Sequence, residues 1–296
     1  MIKLLSSTPL DFIAFHAKGA PLFVDKIVRM NMGTQLRQIA RGFEIVASNQ
    51  KFKNLPIIIG ESDPEGCAAC GMANYPQNGY RNGTMYSSYT ASSLAKIYDI
   101  AFYYKVNLLG VVSWSFEFEN QPWFHGFRDL ATNGVDKPVL NVFRMFGMMG
   151  NTRVETKSSE GFTWKNIIDS GVRGTKPDIN TIASKTKNEA TVLLWNYHDD
   201  DKFSADAVVE LEVNGIPAGK VLISQYRIDK EHSNSYEVWR KMGSPQAPTP
   251  EQYTVLEKAG QLQMTGSTEK AKVKKGKLSF NIMLPRQGVA LFVIKW

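Results

Sequence analysis

Two fold classes lie end to end in this sequence: an α/β segment with a parallel sheet over residues 1–150 and an antiparallel all-β segment over residues 151–296. Three observations predict them. Apolar runs at 10–16, 55–61 and 108–116 lack polar alternation, so each reads as a strand buried on both faces, the habit of parallel sheets. Stretches with helical apolar spacing separate these runs, and alternating strand and helix implies parallel pairing. Beyond Asn151 the helical periods give way to short β runs between turns.

Taken in order, Leu10-Asp11-Phe12-Ile13-Ala14-Phe15-His16 is the first strand and ends on a polar residue. Residues 22–49 carry Ile27, Met30, Leu36, Ile39, Phe43 and Val46 at helical spacing, with a restart near Asn31-Met32-Gly33. Leu55-Pro56-Ile57-Ile58-Ile59-Gly60-Glu61 is the second strand, and a polar loop rich in Gly, Pro and Asn runs from it to about Thr84. Residues 86–104 are helical again, followed by the third strand and a last helix from Lys137-Pro138 to Met149. In the second half, β runs at 190–197, 207–213, 220–228, 277–284 and 288–295 are expected. Val209-Glu210-Leu211-Glu212-Val213 alternates, so one of its faces is packed and the other wet.

The 296 residues carry a net charge of +7, but the basic residues are scattered. Their one dense cluster, Lys270, Lys272, Lys274, Lys275 and Lys277, reads as a solvated hairpin tip rather than a phosphate-binding patch, so no nucleic-acid partner is expected. No apolar run reaches the roughly 18–20 residues that cross a bilayer, so no membrane partner is expected either. Residues 1–9 have too short an apolar core for a signal peptide. The two cysteines form Cys67-Ala68-Ala69-Cys70, two ligands short of a zinc site. They read as a loop brace or free thiols first, a redox site second and a metal site last. His198-Asp199-Asp200-Asp201 reads as a solvated turn, because no glycine or distal glutamate completes a calcium loop. Neither metal nor cofactor is expected.

The chemistry gathers where the parallel strands end. Glu61 emerges from a buried strand at its C-terminal end, and in (β/α) barrels that rim holds the catalytic groups. His16 ends the first strand. Trp114 ends the third, with Glu117 and Glu119 behind it and Trp123, Phe124 and His125 beyond. A sugar site asks for this mixture: aromatic faces stack on the C–H faces of a pyranose, and carboxylates and imidazole bind its hydroxyls. A non-catalytic carbohydrate-binding protein would use the same residues.

At these residues the sequence resembles glycoside hydrolase family 39, the β-xylosidase family of retaining (β/α)8-barrel enzymes. Asp11-Phe12-Ile13-Ala14-Phe15-His16-Ala17-Lys18-Gly19 resembles its sixth strand with a substrate-contacting histidine, and Pro56-Ile57-Ile58-Ile59-Gly60-Glu61 its seventh, which carries the nucleophile. Ser113-Trp114-Ser115-Phe116 resembles the eighth. Phe124-His125-Gly126-Phe127-Arg128-Asp129-Leu130, Gly134-Val135-Asp136-Lys137-Pro138 and Phe143-Arg144 resemble the segment that closes the barrel.

The resemblance implies about three βα units from the C-terminal part of a (β/α)8 TIM barrel, followed by an accessory antiparallel β-sandwich. It implies Glu61 as nucleophile, with His16, Trp114, Glu117 and Glu119 binding a β-linked glycoside. It also suggests a periplasmic or secreted bacterial protein. Two departures stand out. Ser62 follows Glu61 where the family commonly has an aromatic residue, which leaves the sugar unassigned. No Asn-Glu-Pro occurs, so the family's acid/base glutamate is missing, as in a fragment holding the C-terminal half of the enzyme. Little hydrolysis by the chain alone is therefore expected, along with self-association through exposed barrel edges.

Overall fold

The computed structural model of the protein describes residues 9–114 and 116–296. The N-terminal residues 1–8, read above for a leader, and Ser115 of the third strand's motif lie outside the described residues. The first half runs β1 (Ile13–Lys18), β2 (Leu22–Val24), β3 (Ile27–Arg29), α1 (Met32–Ala47), β4 (Pro56–Asp63), α2 (Thr84–Tyr104), β5 (Asn107–Val111), β6 (Ala131–Thr132), β7 (Val135–Asp136) and α3 (Pro138–Gly147). The second half runs β8 (Thr152–Val154), α4 (Trp164–Ser170), β9 (Asp178–Lys185), β10 (Glu189–Tyr197), β11 (Ala207–Asn214), β12 (Lys220–Ile228), α5 (Ser235–Lys241), α6 (Pro250–Gly260), β13 (Gln263–Met264), β14 (Glu269–Lys272), β15 (Lys277–Leu284) and β16 (Val289–Lys295).

β1, β4 and β5 form a three-stranded parallel sheet in that order. Ile57, Ile59, Phe15 and Leu108 turn toward α1 and α2, whose inward faces supply Leu36, Ile39, Phe43, Ile97 and Ile100. The strands are offset from their expected places: β1 begins and ends later, and β5 stops at Val111. Residues 22–29 are a correction. They form the hairpin β2–β3, not the start of a helix, because Asp25 and Lys26 both take left-handed backbone (φ 52° and 63°). Such a two-residue turn matches the twist of paired strands, and the apolar residues beside it then pair across the hairpin. Asn31, also left-handed, sets the point from which α1 starts.

In the second half a seven-stranded sheet pairs β13, β12, β16, β10, β9 and β8, with β14 on β12. Val192 and Leu194 face the β11–β15 ribbon, which contributes Leu211, Ile282 and Leu284. Leu193, Trp195 and Tyr197 alternate to the other face and join the core that contains α1 and α2. Helix α2, whose spacing of Tyr89, Leu94, Ile97, Ile100, Ala101 and Tyr104 suggests one buried face, is consequently buried nearly all round over residues 85–97. Asp178 fastens this junction by accepting hydrogen bonds from Ser92 Oγ, Trp195 Nε1 and the Phe162 amide (2.9, 2.9 and 2.7 Å).

Two further expectations change. Helical structure does not vanish after Asn151, since α4, α5 and α6 interrupt the strands. Nor is His198-Asp199-Asp200-Asp201 a solvated turn: His198, Asp199 and Asp200 are buried. Asp199 accepts from Tyr197 Oη, Val172 N and Met32 N (2.6, 2.9 and 3.2 Å), capping the amino end of α1. Asp200 pairs with Arg29 of the hairpin at 2.5 Å. The lysine cluster is exposed and includes a turn through Lys275 and Gly276, both at positive φ.

Candidate active site

Parallel pairing of β1 with β4 sets the registers His16–Glu61 and Lys18–Asp63. One residue upstream Phe15 pairs with Ile59, so Gly60 is an extra residue in β4. A bulge of this kind re-aims the side chains beyond it. The His16 ring lies so close over Gly60 that a Cβ there would stand 3.2 Å from its Cδ2. Glycine is what lets the imidazole settle against the strand.

Around Glu61 four charged groups interlock. Glu61 Oε2 accepts from Lys18 Nζ at 2.5 Å and Arg128 Nη2 at 3.1 Å, while Oε1 faces His16 Nδ1 at 3.6 Å. Asp63, fully buried, binds the same two cations through Oδ2 (Lys18 at 2.9 Å, Arg128 at 2.5 Å). Its other oxygen accepts from Ser113 Oγ at 2.6 Å and Tyr86 Oη at 3.3 Å. Asp63 thus bridges the two cations on the side away from the Arg128 Nη2 that reaches Glu61. Partial burial pushes the Glu61 carboxyl up, but the hydrogen bonds from Lys18 and Arg128 outweigh it, and the net effect lies below the ordinary carboxylate range. The group is therefore held as an anion at the strand end.

His16 is the open side of this cluster, with 59% of its side chain exposed. Trp114 is also part-exposed and carries the Arg128 guanidinium 5.5 Å from its ring centroid. The structure thus brings His16, Glu61 and, through Arg128, Trp114 to one place. Glu117 and Glu119 lie further along the rim, where they border an open hollow of about 480 Å³ with Phe116 and Asn120. Glu117 Oε1 also accepts from the Gly134 amide at 2.7 Å. Trp123 and Phe124, expected at the mouth, are buried instead, Phe124 against Tyr236 and Trp239 of α5 and Trp123 against Tyr253 of α6.

Sequence reasoning missed Lys18, Asp63 and Arg128. Two of them had a signal: Lys18 follows His16, and Asp63 follows Glu61, at the period of two that keeps side chains on one face. Arg128 had none, because no periodicity tells which strand a loop residue reaches. The cysteines form a Cys67–Cys70 disulfide in the loop after β4, as a loop brace would.

Solved structures share this architecture at low identity, which bears on the fold alone. A family 39 enzyme from Xanthomonas axonopodis pv. citri is 16% identical and superposes with a TM-score of 0.70 over 97% of this chain and 55% of its own. A monomeric beta-xylosidase from Caulobacter crescentus CB15 is 16% identical, with a TM-score of 0.71 over 98% of this chain and 57% of its own. A bacterial orthologue of human α-L-iduronidase is 17% identical, with a TM-score of 0.75 over 97% of this chain and 49% of its own. The chain thus spans about half the length of the solved structures it matches. The model of glycosyl hydrolases family 39 matches residues 5–276, nearly the whole sequence, and the chain belongs to that family.

Proposed function

We propose that this chain furnishes the nucleophile side of a retaining glycoside hydrolase acting on β-linked glycosides, most like a β-xylosidase. The observation that carries this reading is the asymmetry of Glu61. Its Oε2 is saturated by Lys18 and Arg128, and its Oε1 turns toward the exposed imidazole of His16. An anion fixed by one oxygen and presented by the other is suited to attack an anomeric carbon.

In this reading Glu61 Oε1 displaces the leaving group and forms a glycosyl ester, and water then releases the sugar with net retention. A second carboxyl group about 5–5.5 Å away protonates the leaving oxygen and later activates the water. That glutamate lies outside these 296 residues, in keeping with the absence of Asn-Glu-Pro and the half-length match to the solved structures. The parallel sheet is then the closing part of a (β/α)8 barrel, and the strands beyond about residue 150 are its accessory sandwich. His16, Glu117 and Glu119 would bind sugar hydroxyls, and Trp114 would floor the subsite.

A sugar with a very good leaving group needs no proton from the missing acid. A 2-deoxy-2-fluoro-β-xylosyl fluoride should therefore label this chain by itself, with the mass increment on the peptide holding Glu61 and none in Glu61→Gln. Glycan binding without labelling in any preparation would favour the non-catalytic carbohydrate-binding alternative.

One observation favours a second substrate class. Lys18 is part-exposed beside Glu61 and could also meet a carboxylate on the sugar. Faster labelling or turnover with an iduronide than with a xyloside, lost in Lys18→Met, would select it.

A further inference from the structure

The loop that carries Cys67 and Cys70 is bonded directly to the group that holds Glu61. Arg128 donates from Nη2 to the Gly66 carbonyl at 3.1 Å and from its backbone amide to the Ala68 carbonyl at 2.8 Å. The same Nη2 reaches Glu61 Oε2. Arg81, fully buried, grips the loop from the other side through the carbonyls of Cys67, Ala68 and Cys70 (3.0, 3.4 and 3.3 Å). Its Nη2 also pairs with Glu65 at 2.7 Å. Glu65 in turn accepts from the Cys67 amide at 2.8 Å.

Four carbonyls between Gly66 and Cys70 are therefore aimed at two buried guanidinium groups, and the Cys67–Cys70 bond closes the chain across them. Aiming several carbonyls of an irregular loop inward needs a restraint on its backbone, and a crosslink narrows the alternatives. Cys67 is exposed and Cys70 half-buried, so the bond can be reached from solvent.

We propose that the Cys67–Cys70 disulfide is a redox-sensitive clamp on the Glu61 centre: oxidised, it keeps the Gly66 and Ala68 carbonyls on Arg128 and Arg128 on Glu61; reduced, it lets the loop and Arg128 relax. The reductant is a dithiol. One of its thiolates attacks Cys67 Sγ, the bond to Cys70 breaks with Cys70 leaving as thiolate, and the second thiol resolves the mixed disulfide. Two electrons and two protons pass to the protein, and the reductant ends as a disulfide. Only if Glu61 is the nucleophile does this control turnover. The coupling itself is read on the carboxylate, so the two readings can fail separately.

The test is a carboxyl-carbon NMR titration of the full chain with labelled glutamate, in which the Glu61 signal is the one lost in Glu61→Gln. The groups facing that carboxylate are His16, Lys18 and Arg128, with Asp63 behind the two cations. Dithiothreitol should move the Glu61 midpoint upward by about one pH unit as Arg128 lets go. It should also speed amide exchange at Arg128, and reoxidation should reverse both changes. The double variant Cys67→Ser/Cys70→Ser should titrate like the reduced protein and ignore the reductant. An unchanged Glu61 midpoint after thiol labelling has shown full reduction would overturn the proposal, as would a disulfide that dithiothreitol never opens. Reduction and reoxidation of one wild-type sample give the answer even if the double variant does not fold.

Discussion

Glu61 is tied to its neighbours by charge-assisted hydrogen bonds, and these make its ionisation a contribution to stability. Burial raises its carboxyl and the Lys18 and Arg128 bonds lower it further, so the folded chain holds that proton less tightly than the unfolded chain does. The stabilisation is therefore complete above the ordinary glutamate value of about 4.3 and is lost as the pH falls through the lower, folded value. Urea midpoints should show Glu61→Gln less stable than wild type by about 1–2 kcal/mol at neutral pH. The gap should narrow below about pH 4, and a gap that is constant with pH would mean that the bonds do not depend on charge. His16 and Glu61 were legible because each ends an apolar run, although the run before His16 is buried on one face only. Arg128 was not, since it reaches Glu61 from a loop 67 positions away.

At the scale of elements, turn chemistry and long-range capping decide what hydrophobic spacing leaves ambiguous. In residues 22–29 the spacing of Ile27 and Met30 suits a helix, but the chain adopts left-handed backbone at Asp25 and Lys26, at a cost of about 1 kcal/mol for each residue with a Cβ. Lys26→Gly should remove part of that strain and raise stability by about 0.5–1 kcal/mol, whereas in a helix it would lower it. Thermal or urea unfolding distinguishes the two signs. Asp199, by contrast, accepts three buried donors from three segments of chain. Asp199→Ala strands the amides of Met32 and Val172 and should cost about 2–4 kcal/mol in urea unfolding. Its role could not be seen in His198-Asp199-Asp200-Asp201, because four polar residues after a strand look the same whether water or another helix meets them. The three parallel strands were legible as uninterrupted apolar runs. Helices α4 and α5 were not, as each has only seven residues, and α6 was missed although it is longer than α3. The capping box of Thr249 and Gln252, with Pro250 at the first turn, was an available signal for α6.

In the whole molecule, among the described residues, the parallel sheet is covered on one face only. Alternation along β1, β4 and β5 sends Phe15, Ile57, Ile59 and Leu108 to the helices, and Phe12 and Leu109 remain 51% and 65% exposed. Among the described residues both outer strands, β1 and β5, also lack a neighbour on one side, so their backbone donors and acceptors offer pairing sites to another chain. An apolar face bounded by two open parallel edges is a surface that water disfavours, and association is the expected remedy. In sedimentation velocity the isolated chain should form oligomers in the micromolar range, and the weight-average mass should rise with concentration. Replacing Phe12 and Leu109 together by lysine puts charges on that face without touching the core, so the thermal midpoint should stay within about 1 °C, a surface-sized change in free energy. The double variant should sediment as a monomer. A wild-type chain that stays monomeric at high concentration would mean that this face is satisfied within one molecule, and the open-sheet description of its edges would then be wrong.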